Sequence, residues 1–343
     1  MKLALKVGVI ILFLGAFPLM MASVYGQSIS HDSTYYQSFP GKLTGRYYFS
    51  QKFTGVDVID KLNEIPDLIY RPNTSLNMGV GASYKAINLN LAFSFGFLNK
   101  GRGREVDTKY LDLQFHTFPD RWALDGYFQF YQGFQLVPKG KFAGDGEDYY
   151  KRRDIKIREI GASANYVFNG GKFSYKAAFF QSEWQKKSAG TPLVGFEAYG
   201  GTVKGDSSLI PKVAGELSDR EFNRVSFFEL GPNLGYAYTL VIAKHFFLMG
   251  SATGNLGFGF TQSRGNSKEI NWAVNANYLL KASVGFNFER WAINANYVYN
   301  NVRLAKIKDF SNGVVTGNYR LNFIYRFDLG QKGKRILDEM SPR

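Results

Sequence analysis

Along most of the chain, hydrophobic and polar residues alternate with a period of two. Between Ile87 and Phe97, every odd-numbered residue is large and apolar, and every even-numbered residue is small or polar. Such alternation is typical of a β-strand with one apolar and one polar face. The preceding stretch 76–84 also alternates, but its apolar residues are even-numbered. This change of parity predicts an antiparallel hairpin, because directly paired residues lie on the same face of a sheet.

Two more pairs of segments show the same change of parity. Apolar even-numbered residues in 160–168 are followed by apolar odd-numbered residues in 173–179, and Gly170-Gly171 between them suits a tight turn. Segments 270–288 and 291–299 repeat the pattern near the C-terminus. Further strands are predicted at 43–53, 108–117, 122–136, 222–240, 245–261 and 314–327. One more strand-like stretch, 193–204, is assigned to an external hairpin within the long connection 185–221.

The predicted connections alternate between short and long. The short ones lie near 85–86, 118–121, 169–172, 241–245 and 289–290, and the long ones near 54–73, 99–107, 138–154, 185–221, 262–269 and 301–313. Short periplasmic turns and longer external loops are typical of outer-membrane barrels. We therefore predict an all-β fold: an antiparallel, up-and-down transmembrane β-barrel of about 12 strands, with 14 as the alternative if 193–204 spans the membrane. A soluble β-sandwich is the competing fold, but its strands usually have only ~5–6 residues.

The N-terminus has the features of a secretory signal peptide. Lys2 and Lys6 precede an apolar run from Val7 to Met21, which is shorter than the ~20 residues of a comfortable spanning helix. The alternative is an N-terminal membrane anchor. We predict a signal peptide over 1–26, an N-terminal periplasmic segment over 27–42, a barrel over 43–327 and a polar tail over 328–343. The expected location is the outer membrane.

Composition restricts the chemistry that the chain can perform. The 343 residues include 31 Phe, 22 Tyr, 37 Gly and no Cys, which excludes disulfides, thiol nucleophiles and Cys-ligated metals. The mean hydropathy is −0.22, which is too low for a helical membrane protein. The net charge of +14 is dispersed along the chain, whereas nucleic-acid binding requires a focused basic stripe.

Parity also predicts which side chains face the lumen. Basic and acidic residues nearly balance there, so we expect ion pairs that bridge a narrow lumen, with a substrate-binding row as the alternative. The predicted lumen-facing polar row comprises Arg46, Asp112, His116, Asp125, Glu159, Lys176, Glu229, Lys281, Arg320 and Arg326.

Two stretches carry a resemblance to a known family. They are Leu68-Ile69-Tyr70-Arg71-Pro72-Asn73 with the hairpin that follows, and Asp206-Ser207-Ser208-Leu209-Ile210-Pro211. The chain resembles an outer-membrane-barrel-like family of Bacteroidota envelope proteins, domain of unknown function 4421, from about residue 31 to 330. The resemblance implies a barrel fold and an envelope location, and it supplies no activity, substrate or catalytic residue.

No sequence motif indicates catalysis. Gly-x-Ser-x-Gly, His-Glu-x-x-His and the phosphate-binding loop pattern are missing from the sequence. Asp145-Gly146-Glu147-Asp148 lacks the spacing of a Ca²⁺ loop, so we expect a solvated loop and no cofactor. The predicted function is a narrow passive channel or a structural scaffold barrel. The alternatives are an envelope enzyme acting on lipid or lipopolysaccharide and a subunit of a secretion or surface-assembly complex. Expected partners are outer-membrane lipid, lipopolysaccharide and, during biogenesis, the barrel-assembly machinery.

Overall fold

The structure, a computed structural model, describes residues 31–84, 87–100, 105–119, 121–215, 218–265 and 267–340. The predicted signal peptide lies outside these residues. The described strands are β1 (Tyr36–Ser38), β2 (Lys42–Asp60), β3 (Leu68–Arg71), β4 (Asn77–Tyr84), β5 (Ile87–Ser94), β6 (Lys109–Thr117), β7 (Trp122–Val137), β8 (Lys151–Val167), β9 (Glu183–Gln185), β10 (Ala189–Lys204), β11 (Phe222–Ile242), β12 (Phe246–Gly265), β13 (Lys268–Asn287), β14 (Trp291–Arg303) and β15 (Phe310–Asp328). Two α-helices are described, α1 (Tyr175–Phe179) and α2 (Gln331–Met340), and short 3-10 turns lie at Gly96–Leu98, Lys212–Ala214 and Ser218–Arg220. No described helix has the length and apolar character needed to cross a bilayer.

Antiparallel strands form a closed barrel. Consecutive strands pair from β10 through β15, β8 joins β10 to β7, and β3 joins β7 to β2. The ring closes where β15 pairs with β2 along both strands, from Lys42 opposite Asp328 to Asp60 opposite Phe310. Ten strands make this ring, and β4, β5 and β6 are attached to it. Together with these three, twelve strands of the sheet have eight or more residues. The prediction of an antiparallel barrel of about 12 strands is confirmed.

Alternating burial separates the two faces of the sheet. On β12, the burial pattern alternates between exposed and buried along almost the whole strand. The exposed positions of the wall hold large apolar side chains, whereas the buried positions hold many polar ones. Exposed examples are Leu91, Phe93, Leu113, Phe128, Phe196, Leu234, Leu256, Phe258, Trp272, Trp291 and Phe323. An apolar outer face and a polar interior is the arrangement that a bilayer requires of a barrel.

The wall divides between β2 and β7. The N-terminal half of β2 pairs with β4, from Thr44 opposite Ser83 to Ser50 opposite Asn77, and β4 pairs with β5. Residues Val56–Val58, near the C-terminal end of β2, pair with β3 instead, and β3 pairs with β7 on its other side. On the other side, β6 pairs with β7 and with no other described strand. Neither β5 nor β6 has a second partner among the described strands, and we call this interruption of the sheet the β5–β6 seam.

Two predicted elements were wrong. Residues 173–179 do not form the second strand of a hairpin, because α1 (Tyr175–Phe179) lies there and packs inside the barrel. Consequently Lys176, predicted to face the lumen from a strand, lies on a helix and is only partly buried. Residues 193–204 do not lie in an external hairpin, because they belong to β10, which pairs with β8 and β11.

The strict alternation of short and long connections is also corrected. We call the end of the barrel with the β4–β5, β6–β7, β11–β12 and β13–β14 turns the turn end, and the opposite end the loop end. The connection from β8 to β10 lies at the turn end and is long, since it contains α1 and β9. Conversely, the connection from Gly265 to Lys268 at the loop end is tight, although a long loop was predicted at 262–269.

Candidate functional site

A segment of the chain fills the barrel at the turn end. Residues 169–188, which we call the plug, include α1, whose N-cap Ser174 accepts a hydrogen bond from Ala177 N at 2.9 Å. Tyr175, Ala178 and Phe179 are buried in an apolar cluster with wall residues. The cluster is Phe118, Ala123, Val167, Phe173, Tyr175, Ala178, Phe179, Ala189, Leu193, Ala237, Phe247, Met249, Leu279 and Val298. Burial raises the pKa of the Tyr175 phenol, so this hydroxyl stays neutral and bonds Ser251 Oγ at 2.7 Å.

Polar side chains of the wall hold the backbone of the plug. The carbonyl oxygen of Ala178 accepts hydrogen bonds from Ser283 Oγ at 2.8 Å and from Asn294 Nδ2 at 2.7 Å. Ala178 lies in the last turn of the helix, where carbonyl groups have no partner within the helix itself. The wall therefore supplies the donors that a short helix lacks, which fixes α1 against β13 and β14.

Arg326, one of the predicted lumen residues, also holds the plug. Its Nε donates to the carbonyl of Gln181 at 2.8 Å, and its Nη2 donates to Asn287 Oδ1 at 2.6 Å. Asn287 in turn donates to Gln181 Oε1. The guanidinium lies 4.6 Å from the centroid of the Phe39 ring. Arg326 thus connects β15, the plug and the N-terminal segment, and among the described residues no carboxylate pairs with it.

A second apolar cluster seals the loop end. It contains Val56, Val58, Ile65, Leu68, Tyr70, Tyr127, Tyr131, Phe134, Leu136, Ile155, Ile157, Tyr199, Val203, Leu209, Ile210, Phe222, Val225, Phe227, Val302, Leu304, Ile307, Phe310 and Val314. Loop residues are fixed to it by polar contacts. Tyr70 Oη donates to the carbonyl of Leu209 at 2.7 Å, and Arg152 Nη1 donates to the carbonyl of Ser208 at 2.7 Å. Arg220 bridges Asp60 and Glu64 at 2.5 and 2.6 Å. We call this cluster the cap.

Between plug and cap lies a polar layer, in which three predicted residues meet. His116 Nδ1 lies 2.6 Å from Asp125 Oδ1, and Lys281 Nζ lies 2.6 Å from Asp125 Oδ2. The ammonium of Lys281 also lies 5.5 Å from the Tyr175 ring and 5.7 Å from the Phe118 ring. Asp125 thus joins β6 to β13 across the interior, and Lys281 touches the plug. Asp125 and Lys281 thus form an ion pair across the lumen.

The inner face of β6 has several polar atoms without a hydrogen-bond partner. Asp112 Oδ2 accepts from Tyr131 Oη at 2.6 Å, and from Gln114 and Gln129 at 3.1 Å each. The other carboxylate oxygen, Oδ1, has no hydrogen-bond donor and lies 3.8 Å from Lys52 Nζ. Gln114 Oε1 and His116 Nε2 are buried and have no partner either. Three consecutive inward-facing residues of β6 therefore each retain one unused polar atom.

The remaining predicted residues are held separately and form no single row. Glu229 accepts from Asn275 Nδ2 at 2.6 Å and Asn277 Nδ2 at 2.9 Å, and Glu159 Oε2 accepts from Thr316 at 3.4 Å. Arg320 lies over the Tyr48 ring at 4.6 Å. Arg46 contacts Ser83, Asn90 and the carbonyl of Phe180. Lys176 lines a cavity of about 200 Å³ at the turn end with Ser174 and Glu183. Asp125 and Asp112 thus have cationic partners, whereas these remaining residues contact amides, hydroxyls, carbonyls or aromatic rings.

One buried acid was missed in the sequence. Glu197 of β10 is 1% exposed and accepts from Asn233 Nδ2 at 2.6 Å and from Tyr199 Oη at 3.2 Å. The signal was present, because Glu197 has the same parity as the inward-facing Leu193 and Tyr199. The assignment of 193–204 to an external hairpin left Glu197 out of the predicted lumen-facing row.

The described residues contain no group of three or more His, Asp or Glu side chains arranged to hold a metal ion. In the acidic loop, Glu147 pairs with Lys151 at 2.5 Å, and Asp148 pairs with Lys139 at 3.1 Å. These carboxylates are thus engaged with neighbouring lysines.

The comparison with protein families now identifies the fold family. The model of the domain of unknown function DUF4421 matches residues 30–327. The chain belongs to this family. The resemblance found in the two sequence stretches is therefore confirmed. No curated protein is significantly similar to the chain.

Solved structures similar to the DUF4421 chain are outer-membrane barrels. The outer membrane protease OmpT from Escherichia coli is 7% identical, with 85% of this chain and 98% of that chain covered and a TM-score of 0.39. The COG4313 outer membrane channel from Pseudomonas putida F1 is 10% identical, with 88% and 100% covered and a TM-score of 0.23. Ail, the attachment invasion locus protein of Yersinia pestis, is 13% identical, with 84% and 100% covered and a TM-score of 0.18. At these identities and scores, the similarity carries no inference about activity.

Proposed function

We propose that the protein is an exported outer-membrane scaffold barrel whose lumen is closed to diffusion along its axis. The observation that carries this proposal is the pair of independent seals, the plug at the turn end and the cap at the loop end. Each seal is an apolar cluster packed across the interior, and protein interiors of this kind leave few voids larger than a water molecule. An ion would have to pass both clusters without its hydration shell, which is prohibitively costly.

The proposal includes the arrangement in the envelope. The signal peptide 1–26 directs export, the barrel 43–327 spans the outer membrane, and both the segment 27–42 and the tail 328–343 lie in the periplasm. Short turns lie on the periplasmic side of such barrels, and this rule supports a periplasmic position for the plug as well. The loop end carries exposed basic side chains, such as Lys139 and Lys212, that suit anionic lipopolysaccharide.

Single-channel recording in planar bilayers tests the closed lumen. We expect no steady current from the full chain at high protein load, whereas a passive channel would give steps that scale with salt concentration. A second protein, in which residues 173–181 are replaced by a glycine–serine linker of equal length, sharpens the test. It should also remain silent, because the cap still seals the loop end.

Thiol labelling checks that the linker variant has lost its plug. The chain has no cysteine, so Thr253→Cys places a single thiol on the inner face of β12, at a position that is 4% exposed. A membrane-impermeant thiol reagent should label Thr253→Cys slowly in the full chain and much faster in the linker variant. Salt-dependent current from the full chain would contradict the scaffold proposal and support the passive channel.

An enzyme acting on envelope lipid is the second candidate function. It is favoured by one observation, the hydrogen bond of His116 to Asp125 together with the unused Nε2 on the same ring. A carboxylate that orients histidine in this way is found in general-base sites. We expect His116→Gln to fold, and we expect it to give the same result as the wild-type chain in lipase and deacylase screens. An activity of the wild-type chain that His116→Gln abolishes would instead establish the enzyme.

A further inference from the structure

A cavity of about 200 Å³ lies at the turn end, between the plug and the N-terminal segment. Strand β1 borders it through Tyr36 and Ser38, and β1 is itself paired with β9 of the plug. On the side towards the barrel interior, the cavity is lined by Phe118, Phe173 and Tyr175, which belong to the apolar cluster of the plug. The cavity therefore has an aromatic base, which is held in place by the packing of the plug.

Two side chains of opposite charge line this cavity, and neither has a charged partner among the described residues. Glu183 accepts a hydrogen bond from Ser174 at Oε2, which leaves its Oε1 without a described donor. Lys176 Nζ has no described hydrogen bond or ion pair. Neither Glu183 Oε1 nor Lys176 Nζ is a buried atom, so both are open to water. Two charges in one cavity that do not neutralise each other can hold a ligand that carries both complementary charges.

We propose that this cavity binds a free α-amino acid in its zwitterionic form. The ammonium group of the ligand would donate to Glu183 Oε1, and its carboxylate would accept from Lys176 Nζ. Hydrogen bonds between ionised partners are the strong kind, and two of them orient a small ligand in one way. The side chain of the ligand would point at the aromatic base, which favours an apolar group. A molecule with only one charge would leave either Glu183 or Lys176 without a partner.

The volume of the cavity limits the side chain of the ligand. An apolar cavity of about 150 Å³ takes benzene, so a cavity of about 200 Å³ takes a molecule of about eight non-hydrogen atoms. Valine has this size, whereas tryptophan is far larger. The expected ligand is therefore an amino acid with a small branched side chain. The inference does not depend on whether the lumen conducts, because the ligand would enter from the turn end and cross neither apolar cluster.

Binding of three small molecules to the full chain in detergent micelles tests the site. The molecules are L-valine, isobutylamine, which is valine without its carboxylate, and isovalerate, which is valine without its ammonium group. Isothermal titration calorimetry measures each dissociation constant. We expect saturable binding of valine, at least about tenfold tighter than that of either analogue, because each analogue loses one hydrogen bond between charged groups. L-Tryptophan should not compete with valine, because it exceeds the cavity.

Two variants assign each charge of the ligand to its partner. Lys176→Met keeps the length of the side chain and should abolish the difference in affinity between valine and isobutylamine. Glu183→Gln keeps an acceptor for Ser174 and should abolish the difference between valine and isovalerate. Lys186→Met and Glu289→Gln are the matched controls, since they remove the same charges at the turn end but do not line the cavity. Both controls should bind valine as the wild-type chain does.

Three results would overturn the proposal. One is the absence of saturable valine binding to the full chain, whose folding is verified by heat-modifiable migration on gels. Another is equal affinity for valine and both analogues, because the two charges would then play no part. The third is an equal loss of valine binding in Lys176→Met and Lys186→Met, which would indicate an effect of net charge instead of a site. Competition by tryptophan as strong as that by valine itself would contradict the size limit, and with it the cavity as the binding site.

Discussion

Lys281 Nζ and Asp125 Oδ2 lie 2.6 Å apart, and their side chains are only 4% and 0% exposed. The pair joins β13 to β7, which are not neighbours in the sheet, and Lys281 lies over the Tyr175 ring of the plug. A buried ion pair of this kind is stable only while both partners are present, because a lone buried charge retains the full cost of its lost hydration.

Lys281→Met should therefore destabilise the barrel strongly. Asp125 would keep its hydrogen bond to His116 but lose the cation, and breaking a buried pair in this way costs about 3–5 kcal/mol. Urea unfolding in lipid vesicles, followed by gel migration, measures the free energy of unfolding. The double variant Lys281→Met/Asp125→Asn should lose less. Arg335→Ala, which breaks an exposed pair with Glu339, should change the free energy by no more than about 0.5 kcal/mol. A small effect of Lys281→Met would show that the pair does not support the interior.

Leu256→Arg tests which face of the wall meets lipid. Leu256 is 61% exposed in the middle of β12, so arginine there would enter the hydrocarbon region. The expected loss is about 2–4 kcal/mol at the bilayer midplane. The matched control is Val213→Arg, which is 59% exposed in a loop and should have almost no effect. Equal tolerance of both variants in vesicles would argue against a lipid-facing position for β12.

Arg326→Ala should loosen the plug. The substitution leaves the carbonyl of Gln181 and Asn287 Oδ1 without their donor, and each buried group left unsatisfied costs about 1–3 kcal/mol. We expect trypsin to cleave faster after Lys172, Lys176 or Lys186, with the sites identified by mass spectrometry. Arg290→Ala is the control, since its side chain is 66% exposed at the same end of the barrel. Identical cleavage rates for both variants would mean that Arg326 does not retain the plug.

Gly126→Ala should disturb the strand that borders the seam. Phe115 of β6 lies over Gly126 of β7, and a Cβ at Gly126 would be 1.9 Å from Phe115 Cε1. The ring must move, and because Phe115 is 43% exposed it can turn outwards, so we expect a loss of about 0.5–1.5 kcal/mol. Gly254→Ala on β12 has nothing within 4 Å of the added atom and should be neutral or slightly stabilising. Combining Gly126→Ala with Phe115→Ala should recover part of the loss in vesicle unfolding; no recovery would exclude the steric explanation.

Parity was sufficient to predict most of the wall. The even-to-odd change at 84–87 places Tyr84 opposite Ile87, and the structure has this pairing. The change at 288–291 correctly predicts Phe286 opposite Ile293 on β13 and β14. The parity of apolar residues is informative because the two faces of a barrel strand differ greatly in polarity, so the type of each residue indicates the face on which it lies.

Parity gave a wrong prediction for residues 173–179, because α1 is surrounded by the barrel interior on most sides. Phe173, Tyr175, Ala177 and Phe179 alternate with Ser174, Lys176 and Ala178, which looks like a strand. In the structure Ala177 and Ala178 are both buried, because α1 lies inside the lumen and is covered on most sides. Short runs of four or five residues cannot separate these periods. The usable signals were the alanine pair and Ser174 as a helix cap.

The candidate site was only partly accessible from the sequence. Parity placed Asp125, Lys281 and Asp112 on the inner face, but which partners meet across the lumen depends on the curvature of the sheet and on the plug. Nothing in the local pattern around Arg326 indicates that it binds the carbonyl of Gln181, far away in the chain. The seam is similarly invisible, since β5 and β6 each look like ordinary strands.

The position of the plug in the chain also bears on how the ring closes. Residues 169–188 lie between β8 and β10, whereas the ring closes where β15, the last strand, meets β2, one of the first. Because the β2–β15 contact joins distant parts of the chain, it is the slowest kind of contact to form. The plug bonds Ser283 of β13, Asn294 of β14 and Arg326 of β15, so a segment from the middle of the chain holds the strands beside this slow contact.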